Sequence, residues 1–104
     1  MDYKHDRFLD ELKKHISLFI QLESNKRSMI TVTNIALSKD FKKATFFVTV
    51  FPETGETAAL DFLHRNQKTA RGYLKTHSKL SRLPFIEFAL DKGEKSRQRL
   101  DMLS

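Results

Sequence analysis

No cysteine occurs in the 104-residue chain. That excludes a disulfide framework, a thiol nucleophile and a thiolate metal site together, and it fits a reducing compartment. No apolar run approaches the roughly 18 residues that a membrane-spanning helix needs, and Met1–Asp10 shows no signal-peptide pattern. The expected product is soluble, unexported and cytoplasmic. Tryptophan is missing as well, but nine Phe together with Leu, Ile and Val supply enough apolar surface for a core without metal or disulfide support. At this length one core is expected, hence a single domain over residues 1–104 acting as a monomer.

The usual signs of catalysis are also lacking. His5, His15, His64 and His77 have neither the i, i+4 pairing nor the carboxylate company of a zinc site. Nothing gathers Asp10, Glu11 or Asp91 with a nucleophile or a metal, no Ser sits in a nucleophile elbow, and Gly55 and Gly93 build no phosphate loop. No enzyme activity, cofactor, metal, small-molecule substrate or membrane partner is therefore expected.

What the chain does have is an unevenly distributed positive charge. The formal net charge is +6, from 19 Lys and Arg against 13 Asp and Glu. From Phe62 to Ile86 there is no acidic residue, while Arg65, Lys68, Arg71, Lys75, Lys79 and Arg82 fall within that stretch, beside His64 and His77. Such a segment carries a concentrated positive field, and a polyanion is its natural partner. A solvated helix face is the bland reading of the same charges.

The periodicity predicts an amphipathic helix over about residues 6–22, with Asp6 as N-cap and Phe8, Leu9, Leu12, Ile16, Phe19 and Ile20 on one side. Ser24–Ser28 is a polar connection. Met29–Leu37 is β-rich, but its apolar positions, Ile30 and Val32 and then Ile35 and Leu37, slip phase between Thr33 and Asn34, which predicts a bulge. After the turn Ser38-Lys39-Asp40, the alternation from Ala44 to Phe51 predicts a second strand with Phe on both faces, the outer set expected to lie under a helix. Helical spacing resumes from about Glu56 and contains Gly72, which is either tolerated at about 1 kcal/mol relative to Ala or marks a break into two helices. Tyr73 reads as a core side chain more readily than as a base-stacking one. Ser81–Pro84 ends the helical region, Phe85–Leu90 predicts a third strand, and residues 94–103 a last short helix. The order is α-β-β-α-α-β: an α+β fold with a mixed three-stranded sheet packed against helices, the crossover being long enough for a parallel third strand.

Four strings in this order resemble the ribosome-binding factor A family. They are Ile30–Asp40, running into Ala44 and the second strand; Ala70-Arg71-Gly72, placed where the family has an Ala-x-Gly helix break; Pro84–Asp91; and Arg99–Leu103. The chain departs from the family's pattern in lacking an Asp-Pro before the first strand. The resemblance implies a KH type II-like fold with the helix break at Ala70-Arg71-Gly72. It also implies a non-catalytic assembly factor that binds the immature small ribosomal subunit and its rRNA and assists late maturation. Arg65, Lys68, Ala70, Arg71, Gly72, Lys75, Lys79 and Arg82 are the expected RNA-binding residues, with Gly72 at a junction needing unusual backbone angles or close backbone approach. The alternative is a KH-like protein-interaction module whose basic face binds an acidic protein partner.

Overall fold

The computed structural model describes residues 3–93. The expected helix over 94–103 and the Arg99–Leu103 string lie outside the described residues. Helix α1 spans Tyr3–Glu23, starting before the expected Asp6. Leu12, Ile16, Phe19 and Ile20 on its inner stripe are all buried, as their spacing of three and four requires.

Strands β1 (Met29–Leu37) and β2 (Lys43–Phe51) form an antiparallel hairpin, and β3 (Phe85–Leu90) pairs parallel to β2, giving the order β1-β2-β3. The bulge falls where the phase slip places it. Val32 pairs with Val48 and Asn34 with Phe47, so Thr33 is the extra residue. Side chains alternate across a strand, and one inserted residue exchanges the faces. Ile30 and Val32 before the bulge, and Ile35 and Leu37 after it, therefore all join the core. The Thr33 hydroxyl donates to the Phe47 carbonyl at 3.2 Å and also to the Asp91 carboxylate. Asp91 is tied in turn by its backbone N–H to the Val48 carbonyl at 2.7 Å, so the two outer strands are laced across β2 beside the bulge.

A 3-10 turn (Glu53–Gly55) leads into α2 (Glu56–Arg65) and α3 (Gln67–His77). With α1, these helices cover one sheet face through Ala59, Leu63, Ala70 and Leu74, against Phe46, Val48, Ile86 and Phe88. Among the described residues no helix covers the other face, contrary to the expectation for the outer Phe set. Phe46 lies under the helices, whereas Phe47 is half-buried and Phe51 is 74% exposed on the uncovered side. Tyr73 packs on Phe19, ring centroids 5.6 Å apart, and stacks on His77 at 4.0 Å.

The helix break is at Asn66, not at Ala70-Arg71-Gly72. Asn66 adopts φ −110°, ψ 17°, outside the helical basin. Its side-chain amide donates to the Phe62 carbonyl at 2.7 Å and its backbone N–H to the Leu63 carbonyl at 3.1 Å. The end of α2 is thus closed by one residue, while the Asn66 carbonyl accepts from Ala70 N–H at 2.8 Å and starts α3. Asn suits such a site because its short amide can stand in for a backbone donor. Gly72 lies inside α3 with no positive φ.

Candidate nucleic-acid interface

Four cations converge on one cleft of about 710 Å³ between the first half of α3, the β1–β2 turn and the start of β3. Lys68 and Arg71 reach it from α3, Arg82 from the segment before β3 and Lys42 from the turn. Its apolar lining is Phe41, Leu83, Phe85 and Ile86. Phe85 is 54% exposed and Phe41 43%, the Phe41 ring being stacked on Phe8 with centroids 5.7 Å apart, so aromatic surface is partly open to solvent beside the four cations.

Arg71 has a second duty. Its guanidinium donates from Nη2 to the Leu83 carbonyl at 3.1 Å and from Nε to the Pro84 carbonyl at 3.2 Å. The planar fork of Arg suits two adjacent carbonyls, and Pro84 is fully buried. Arg71 therefore clamps the loop carrying Arg82 onto α3, fixing the cleft wall as well as charging it.

One carboxylate, Asp40, also lines the cleft. It is engaged locally: the Ser38 hydroxyl donates to its Oδ1 at 2.8 Å and the Lys42 N–H to the same oxygen at 3.1 Å. The Ser38 bond first, then the Lys42 N–H, hold its carboxyl below the usual carboxylate range. Asp40 builds the turn that presents Lys42, at the cost of one negative charge in the cleft.

The remaining expected site residues fall elsewhere. Lys75 is exposed one turn beyond Arg71, on the α3 side that also shows Lys68 and Gly72. Lys79 lines a separate hollow with Arg7 and Glu11 of α1. Arg65 is exposed at the end of α2, its Nε donating to the Asp61 carbonyl at 3.2 Å. Ala70 is removed from the candidate surface, because its side chain is fully buried against the core and cannot touch an external ligand. Gly72 is exposed, and a Cβ added there meets nothing within 4 Å, so the fold makes no demand for glycine. Lys42 and the two Phe escaped the sequence reading, since nothing in the local pattern marks them as a site; their proximity to Arg82 is purely tertiary. Among the described residues no group of three His, Asp or Glu side chains is arranged to hold a metal, and no helix is long and apolar enough to cross a membrane.

Comparison with known proteins adds a family to this geometry. The family model for ribosome-binding factor A matches residues 4–104. The ribosome-binding factor A of Brevibacillus brevis is 34% identical over 91 residues, covering 81% of this chain and 72% of that protein. The crystal structure of ribosome-binding factor A from Thermus thermophilus superposes with a TM-score of 0.74 at 28% identity, over 86% of this chain and 97% of the other. A homology model of the Thermus thermophilus factor, fitted into a cryo-electron-microscopy map of a 30S complex, gives a TM-score of 0.67 at 29% identity, over 80% and 90% of the two chains.

Proposed function

The chain belongs to the ribosome-binding factor A family, and we propose that it binds the immature small ribosomal subunit in the cytoplasm, contacts its rRNA and assists late maturation without catalysing a reaction. The observation that carries this reading is the convergence of Lys42, Lys68, Arg71 and Arg82 on one open cleft. The 30S complex of the Thermus relative supports the same partner.

Phosphate contacts supply most of the affinity of such a surface, and exposed aromatic rings offer stacking platforms to unpaired bases. Phosphates would sit on Lys68, Arg82 and Lys42, with Lys75 extending the contact along α3, where the exposed Gly72 leaves room for close approach. Arg71 positions Arg82 while keeping donor capacity of its own. Arg65 and Lys79 stand at the periphery.

Lys68→Glu combined with Arg82→Glu tests the proposal. Both side chains are exposed, so the variant keeps its thermal midpoint within a few degrees, while binding to immature small subunits falls by about tenfold or more. If about three to five phosphates are engaged, log affinity of the unaltered protein falls against log salt with a slope of roughly −2 to −4. Undiminished subunit binding by the folded double variant refutes the assignment. A complex insensitive to salt points instead to apolar protein recognition and counts against both charge-based readings.

A further inference from the structure

A three-stranded open sheet has two outer edges, and this chain treats them differently. On β3, the His64 Nε2–H donates to the Phe88 carbonyl at 3.0 Å. Arg71 takes the carbonyls of Leu83 and Pro84 just ahead of the same strand. Side chains thus occupy that edge. Of the usual protections of an unpaired strand, the β1 edge shows among the described residues no charge, no proline and no side-chain cover, and has only a bulge. Its nine residues, MITVTNIAL, include no charge and no proline, and only the bulge at Thr33 interrupts it.

Along the first half of that edge, before the bulge, runs a groove of about 590 Å³. One wall is Met29–Val32. The other is a stripe of α1 that includes Lys13, Ser17 and Gln21, and Lys26 and Arg27 stand in the loop joining the two walls. No carboxylate and no aromatic ring lines it among the described residues. A bare strand edge facing a helix is the arrangement in which an extended peptide adds itself as a further strand, its backbone supplying affinity and the helix wall selecting side chains. Three cations without a carboxylate select negative charge, and the lack of an aromatic platform disfavours nucleobases.

We propose that this groove captures an extended acidic segment of a protein partner, which pairs with Met29–Val32 as a fourth strand. The bulge limits pairing to about four residues, or roughly 13 Å at ~3.3 Å per residue. The surface is separate from the α3–β3 cleft and needs no contact with rRNA.

The test uses the full chain, isotope-labelled, and a six-residue peptide of alternating valine and glutamate. Amide exchange is slowed by the peptide at positions 29–32 and not beyond the bulge. Lys13→Glu with Arg27→Glu, both exposed positions, weakens the peptide by about tenfold or more, and a valine–lysine peptide restores binding to that variant. Small-subunit binding by the same variant is retained. No protection at 29–32 overturns the proposal. So does protection that appears without peptide and grows with protein concentration, which marks pairing with a second copy, and so does displacement of the peptide by an equimolar oligouridylate, which marks an RNA contact.

Discussion

Gly72→Ala raises the stability of this protein, and the reasons are local. Gly72 lies in the middle of α3, between the buried Ala70 and Leu74, with no positive φ. The added methyl meets no atom within 4 Å, so it introduces no clash. The helical preference of Ala over Gly, which arises largely from the freedom glycine has in the unfolded chain, then amounts to about 0.5–1 kcal/mol in favour of folding. For a domain of this size that corresponds to an increase of roughly 2–8 °C in Tm. Urea melts read the free energy, and an unchanged m-value shows that the denatured state has not altered otherwise. A destabilised Gly72→Ala protein would refute the reasoning, since it would mean that α3 holds a strained or crowded backbone where the structure shows neither. Binding to immature small subunits, measured on the same variant, reads the separate question of close approach. If rRNA packs on the α3 backbone at Gly72, a more stable protein binds less tightly.

Arg71→Ala acts in the opposite direction and lowers stability by about 1–2 kcal/mol, because two carbonyls lose a charged donor at a partly solvated site. Arg71→Lys recovers little of it, as a single ammonium cannot reproduce the fork, and equal stability of all three proteins in denaturant melts would show that the clamp is dispensable. Asp40 gives a pH signature. Its folded-state pKa is depressed, chiefly by the Ser38 hydroxyl, so the stability it contributes is present above about pH 4 and is lost as pH falls through its lowered folded value. The stability gap between the unaltered protein and Asp40→Ala therefore narrows from about pH 7 to about pH 2.5, and a gap that stays constant over that range contradicts the assignment.

The parts of the fold that follow from alternating or helical burial were legible in the sequence. The Thr33 bulge could be read because Val32 and Ile35 break the period of two, and the same arithmetic puts Ile35 opposite Phe46. The parallel return of β3 followed from the length of the helical crossover. The helix break was misplaced because the family resemblance set it at Ala70-Arg71-Gly72, where periodicity alone left a tolerated glycine equally open. Asn66 ends α2 through a side-chain bond to Phe62, and nothing in composition separates that from an ordinary polar helix residue. Of the candidate site, the acid-free segment identified Lys68, Arg71 and Arg82. It could not separate them from Lys79, which the turn of the chain after α3 carries away towards α1. Lys42 was invisible for the opposite reason, being distant in sequence and brought in by the pairing of β2 with β3.

The parallel pairing of β2 with β3 also sets a timetable. The β1–β2 hairpin closes over a short turn and belongs to the fast, local events of folding. Ala44 and Phe46 find Ile86 and Phe88 only across the whole helical crossover, and those four side chains are all buried. During synthesis α1 and both hairpin strands therefore emerge before β3, and the inner sheet face lacks its last strand until Phe88 has left the exit tunnel. Until then β2 has a strand partner along one edge only, so the interval between the hairpin and the arrival of β3 is when this chain is most exposed to mispairing.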